Sequence, residues 1–162
     1  MSLADEAILI GLGANLPSPF GAPQQTCEAA LTALEGQGAR LLRRSRWYRS
    51  RPVPPADQPW FVNGVALVAA TLSPDGLLRL LHGIEARFGR RRRHSSEART
   101  IDLDLLAYGA LLRSEAPVLP HPRMHERAFV LMPLRDVAPE QVTSIPDDGE
   151  GVNETPLALQ LP

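Results

Sequence analysis

The sequence predicts an α+β fold, one antiparallel sheet covered by helices, and three observations carry that expectation. Four apolar runs have strand length and stop at turn residues. Two apolar stripes recur at helical spacing between start and stop signals. The runs and stripes follow one another as strand, helix, strand, strand, helix, strand. At 162 residues the chain has the usual size of one domain and can bury a full core without staples. A single domain over residues 1–162 is expected, with its core at about 7–140 and a polar tail at 141–162.

The first strand runs from Ala7 to Gly13, ends on Gly-x-Gly and meets Pro17 and Pro19. A helix follows from Pro23 through Leu34, because Cys27, Ala30, Leu31 and Leu34 share one face and Gly36 with Gly38 supplies the stop. Arg40 to Arg49 reads as the second strand, its apolar and arginine positions partly alternating around Trp47 and Tyr48. The proline-rich stretch Arg51 to Pro59 is a loop. Trp60 to Thr71 is the third strand, and Ser73-Pro74 then caps a helix to about Phe88 with Leu77, Leu80, Leu81, Ile84 and Phe88 on its stripe. Past an arginine-rich loop, Thr100 to Ala107 forms the fourth strand. A short segment near Val118 leads into Pro120-His-Pro, and a last helix covers His125 to Asp136. This order is that of the ferredoxin-like βαββαβ arrangement, one sheet beneath two helices, followed by a C-terminal extension without a core role.

Composition excludes several chemistries. Net charge is -1 with pI near 6.4, so any affinity for phosphate is local rather than global. Cys27 is the one cysteine, which leaves no disulfide and no cysteine metal cluster and fits a reducing cytoplasm. The apolar run from Ala7 is too short for a signal-peptide core or a membrane span, so no membrane partner is expected. All 17 basic residues are arginine. Without lysine there is neither a P-loop nor a Schiff base, yet arginine still grips phosphate bidentately.

The segment Arg99-Thr-Ile-Asp-Leu-Asp-Leu-Leu106 is the most informative. On a strand, Asp102 and Asp104 share a face roughly 6 to 7 Å apart while Ile101, Leu103 and Leu105 pack beneath. Paired like charges in a strand cost stability unless a cation or arginines neutralise them, and hard oxygen ligands suit Mg²⁺ on a polyphosphate. The spacing alone leaves an exposed sheet face and a salt-bridge pair as alternatives. Immediately upstream lie Arg90, Arg91, Arg92, Arg93 and Arg99, a phosphate clamp or a solvated, RNA-binding charge run. Phe61 and Asn63 also share a strand face, an aromatic plate beside a donor-acceptor carboxamide that suits a flat heterocycle, with a packed Phe and a backbone-satisfied Asn as the plain alternative. His121 lies between two prolines with Arg123, His125 and Arg127 following; by itself it is a solvated loop histidine, and with those arginines it becomes a phosphate donor. Phe129 on the last helix reads as a core residue. The Gly11-Leu-Gly13 turn lacks the third glycine of a dinucleotide fingerprint and runs into prolines.

Taken in order, Gly11-Leu-Gly-Ala-Asn-Leu16, Tyr48-Arg-Ser, Asp57-Gln-Pro-Trp-Phe-Val-Asn63, Ile84-Glu-Ala-Arg-Phe-Gly-Arg90, Arg99 to Leu106, Pro120-His121 and Arg127-Ala-Phe129 resemble the 6-hydroxymethyl-7,8-dihydropterin pyrophosphokinases of folate biosynthesis over about residues 7 to 140. The resemblance implies transfer of pyrophosphate from ATP to the hydroxymethyl oxygen of the pterin with release of AMP. It implies two Mg²⁺ ions held by Asp102 and Asp104, with Arg90, Arg99, Asp102 and Asp104 carrying catalysis. Glu85, Arg90, Arg93, Arg99, His121 and Arg127 would bind ATP. Phe61 and Phe129 would sandwich the pterin while Asn63 and the chain from Ser50 to Val53 read its edge. Between Arg90 and Arg99 the chain departs from the family: Ser96-Glu97-Ala98 stands where relatives carry an aromatic or Asn and then Gly/Ala-Pro. ATP and the pterin are the expected partners, nucleic acid is not, and a cytoplasmic monomer is expected. An RNA-binding ferredoxin-like module would need stacking aromatics on its central strands, where Ile101 to Leu106 carries acids instead. The intact acid pair likewise argues against an inactive relative.

Overall fold

The computed structural model describes residues 7–52, 57–89, 100–142 and 153–154. Its elements are β1 (Ile8–Ala14), α1 (Pro23–Glu35), β2 (Ala39–Arg44), β3 (Tyr48–Ser50), β4 (Phe61–Ala70), α2 (Pro74–Arg87), β5 (Asp102–Tyr108), α3 (Ala128–Val137) and β6 (Asn153–Glu154). The sheet is antiparallel in the order β5-β1-β4-β3-β6, with β2 paired to β4 beside β3. Counting β2 and β3 as one split strand gives the predicted ferredoxin-like order.

Local chemistry explains the helix starts. Gln25 reaches back to accept the Ala22 N–H at 2.8 Å ahead of α1, and the Ser73 hydroxyl accepts the Gly76 N–H at 3.1 Å with Pro74 as the first helical residue of α2. Ile8, Ile10, Leu12 and Ala14 of β1 pack against Cys27, Ala30, Leu31 and Leu34 of α1 and Leu77, Leu81 and Ile84 of α2. On the opposite face Leu9, Val65 and Leu106 meet Val130, Leu131, Leu134 and Val137 of α3.

Three expectations need correction. The predicted second strand divides, because the chain leaves β4 at Ser45–Trp47 to bury the Trp47 indole in the core under α1 and α2. The indole lies where Gly64 carries no side chain; a Cβ there would fall 2.5 Å from Trp47 Cζ3. Ser45 keeps the broken stretch attached, donating its N–H to the Val65 carbonyl and accepting the Val65 N–H on its hydroxyl, both at 2.9 Å. Secondly, helices cover both faces of the sheet, α1 and α2 on one and α3 on the other. Thirdly, the fourth strand starts at Asp102 and runs to Tyr108, whose hydroxyl donates to the Leu72 carbonyl, while the last helix begins after a one-turn 3₁₀ segment, Met124–Glu126. The C-terminal extension, expected to have no core role, adds an edge pairing, Asn153 and Glu154 with Arg49 and Tyr48.

Candidate active site

The alternation read in the sequence is realised on β5. Leu103 and Leu105 are buried toward α1 and α2, and Asp102 and Asp104, half-buried, take the face shared with α3. The registers then extend a single row across the sheet: Asp102 pairs with Gly13, Gly13 with Asn63, and Asn63 with Tyr48. One step along, Asp104 pairs with Gly11 and Gly11 with Val65. Directly paired residues share a face, so two carboxylates and a carboxamide look out from one surface with bare glycine backbone between them. With strands about 4.8 Å apart, Asp102 and Asn63 stand roughly 10 Å from each other across Gly13. A Cβ on Gly13 would project into that gap, 3.4 Å from Asn63 Oδ1.

Asn63 is 5% exposed, and its Nδ2 donates to the buried Ser50 hydroxyl at 2.8 Å. That bond fixes the carboxamide plane and turns Oδ1 toward Gly13. Ser50 pairs with Phe61, which is half-buried on the same face as Asn63. Phe129 is half-buried on α3 against the Leu9–Val65 core, and the Arg127 guanidinium lies 5.4 Å from its ring centroid. The other side of α3 is tied to the sheet by Asp136, which accepts the Tyr48 hydroxyl at 2.9 Å and the Arg46 N–H at 3.1 Å. Asn15, at the end of β1, donates Nδ2 to Gln58 Oε1 and to the Pro59 carbonyl, both at 2.9 Å, and so pins the chain entering Phe61.

β5 is the edge strand, and the loop carrying His121 docks on it. The His121 N–H donates to the Leu106 carbonyl at 2.7 Å, which places the imidazole beside the aspartates. An open cavity of about 250 Å³ joins Asp104 and His121 along this edge, with His82 and Leu78 of α2 and Pro117 and Val118 of the loop completing its walls. Burial lowers the His121 pKa from the ordinary 6.5; the charges of Arg127 and Arg123 lower it further, and Asp102 pulls it back up. Its Nδ1 accepts the Arg123 N–H at 3.3 Å, which leaves the Nε2 side as the donor of the neutral ring.

Asp102, Asp104, His121, Arg127, Phe61, Asn63, Ser50 and Phe129 thus lie on or beside one face of the sheet. Arg90, Arg93, Arg99 and Val53 lie outside the described residues. Glu85 is buried at the last turn of α2, and its Oε2 accepts the Leu103 N–H at 2.9 Å. Sequence reading did not find Gly13 as part of the site. Alternate glycines in a strand signal close backbone approach, and that signal was present in Gly11-Leu-Gly13. His82 and Leu78 carry no signal that separates them from an ordinary helix surface.

Among the described residues no third His, Cys, Asp or Glu groups with the two aspartates as a closed metal cage. A pair of carboxylates open on one side fits a hard cation that takes its remaining oxygens from a polyphosphate and water, as Mg²⁺ does.

A family model described as 7,8-dihydro-6-hydroxymethylpterin-pyrophosphokinase (HPPK) matches residues 9–139. The 2-amino-4-hydroxy-6-hydroxymethyldihydropteridine pyrophosphokinase of Methylorubrum extorquens is 40% identical over 147 residues, which cover 90% of this chain and 88% of that protein. The protein of the same name from Pseudomonas aeruginosa is 43% identical over 137 residues, covering 83% and 82%. Among solved structures, a triple mutant of Plasmodium falciparum HPPK-DHPS is similar with a TM-score of 0.63 at 13% identity. The match covers 80% of this chain and 40% of that one, so it speaks for the fold alone.

Proposed function

The chain belongs to the 7,8-dihydro-6-hydroxymethylpterin-pyrophosphokinase family, and we propose that the polar row across its sheet is where ATP and the pterin meet. The activity is transfer of pyrophosphate from ATP to the hydroxymethyl group of 6-hydroxymethyl-7,8-dihydropterin, with AMP released, in folate biosynthesis. The hydroxymethyl oxygen attacks the β-phosphorus and the bond from that phosphorus to the α–β bridging oxygen breaks. AMP leaves with the bridging oxygen, and the hydroxyl proton passes to solvent.

The observation that carries this reading is the row Asp102, Gly13, Asn63, which sets phosphate-side acids and a ring-reading carboxamide on one face with a gap between them. Phe61 and Phe129 offer their rings to the two faces of the pterin, and Asn63, held by Ser50, reads its polar edge. By the resemblance, Val53 would read the same edge. His121 and Arg127 bind the nucleotide phosphates beside the Asp104 cavity, and Arg90, Arg93 and Arg99 complete the clamp on charge that builds on the leaving group. Asp102 and Asp104 are the residues that would hold Mg²⁺, two ions with ATP, whose bound charge neutralises phosphate oxygens and favours the attack. Alignment and neutralisation account for the rate without a dedicated base. The whole chain acts as one domain and as a cytoplasmic monomer, which light scattering coupled to gel filtration checks for the oligomeric state.

Incubation with ATP, Mg²⁺ and hydroxymethyldihydropterin yields AMP, and both chelation and Asp102→Ala abolish it. ADP as the product, or ATP turnover independent of the pterin, overturns the reading.

A further inference from the structure

We infer that Glu85 is a positioning residue for the aspartate pair, acting through the Leu103 peptide rather than by touching the nucleotide. The resemblance puts Glu85 in the nucleotide region, but the side chain is 2% exposed and its Oε2 accepts the Leu103 N–H at 2.9 Å. Leu103 is the residue between Asp102 and Asp104, and its own side chain is buried under α1 and α2 with Glu85's neighbour Ile84. Glu85 therefore reaches the strand from the helix side, while the two aspartates look out from the opposite face.

The need for such a contact follows from topology. Among the described residues β5 is at the sheet's edge, so its inner side is zipped to β1 and no described strand pairs with its outer side. Among the described residues, Glu85 on the Leu103 N–H and the His121 N–H on the Leu106 carbonyl at 2.7 Å hold that outer side. The first sits between the two carboxylate-bearing residues. A hydrogen bond to a charged acceptor is among the stronger kinds, and fixing the peptide of Leu103 fixes the Cα positions on either side of it. A displacement of about 1 Å at a reacting centre can cost on the order of 100-fold in rate. The last turn of α2 thus sets where the pair stands, and with it the cation that the pair would hold.

This inference rests on the reading of Asp102 and Asp104 as the metal-holding pair, and three variants separate the two. Glu85→Gln keeps an acceptor oxygen at the same reach without the charge. Glu85→Asp keeps the charge and withdraws it by one methylene. Glu85→Ala removes both. Positioning predicts that Glu85→Gln retains kcat and the Mg²⁺ concentration for half-maximal rate to within about threefold. Glu85→Asp and Glu85→Ala lose at least ~10-fold in kcat and need several-fold more Mg²⁺, with the pterin KM little changed. Should Glu85→Ala not fold, the Gln and Asp variants carry the test alone, supported by hydrogen exchange of the Leu103 amide, which is slow in wild type and Gln and fast in Asp. The reverse order, with Asp active, Gln impaired and the ATP KM raised, means the charge acts on the nucleotide directly and overturns the inference. Wild-type behaviour in Glu85→Asp does so as well, while activity surviving Asp102→Ala defeats the underlying reading instead.

Discussion

The two faces of the sheet are made from alternate residues of the same strands, and they are finished to different degrees. Along β1, Ile8, Ile10, Leu12 and Ala14 are each no more than 4% exposed beneath α1 and α2. The intervening residues are Leu9, Gly11 and Gly13. Leu9 is covered by α3 together with Val65 and Leu106, whose side chain also reaches over Gly11, and the apolar cover stops before Gly13. Gly11 is flanked by Asp104 and Val65, and the bare Gly13 by Asp102 and Asn63. A sheet closed on both faces would be a better core and no enzyme. The face under α1 and α2 supplies stability, and the uncovered end of the other face is where polar groups can meet a ligand without being buried unpaired.

The sharpest way to break that division uses adjacent residues of one strand. Leu103, 1% exposed on the closed face, loses about 2 to 5 kcal/mol of stability as Leu103→Ala, read from the midpoint of urea unfolding. Asp102→Ala, half-buried on the open face, shifts that midpoint far less, because it opens no cavity in the apolar core. Its AMP formation nonetheless falls below detection, a loss of roughly 1,000-fold or more. Equal losses of stability in both variants would erase the distinction between a folding face and a working one.

Within the open face, the comparison is between its phosphate side and its ring side. Asn63→Ala removes the carboxamide that Ser50 holds in plane. It weakens pterin binding by about 1 to 3 kcal/mol in titration calorimetry while ATP binding stays within ~0.5 kcal/mol. A matching loss for ATP would mean that the ring does not lie on this side of Gly13.

How much of this is legible without coordinates depends on sequence distance. Asp102 with Asp104, and Phe61 with Asn63, could be placed on common faces because the strand period of two is local to each segment. That the two pairs belong to one surface depends on β1 inserting between β4 and β5, pairings that run from 48 residues apart (Ala14 with Val62) to 100 (Ile8 with Tyr108) and that no local period records. Gly13 went unread for that reason: its meaning is the gap between Asp102 and Asn63, neither of which is near it in the chain. The break at Ser45–Trp47 was hidden in the same way, since the space for the indole is provided by Gly64. Placement of α3 on the far face was equally beyond the helix pattern, because an apolar stripe shows that a helix packs but not on which side. Glu85 entered through the resemblance as an ATP contact, and the edge amide it accepts is visible only in the fold.

The smallest expected effect concerns His121, on the phosphate side of the site beside Asp104. Its burial and the charges of Arg127 and Arg123 hold the imidazole pKa below the ordinary 6.5, against the opposing pull of Asp102. The folded chain therefore binds this proton less readily than the unfolded chain. The stabilisation this gives is fully present above the unfolded value and is lost as pH falls through the folded one. In the wild type, compared with His121→Gln, the stability difference shrinks as pH is lowered from about 7 toward 5. Bound phosphates act in the opposite direction from the arginines, since negative charge favours the imidazolium. NMR titration of His121 gives a pKa below 6.5 in the free protein, and a non-hydrolysable ATP analogue with Mg²⁺ raises it. The pterin alone leaves it where it was. An imidazole that does not respond to the nucleotide would remove His121 from the phosphate side and leave the Asp104 cavity to some other part of ATP.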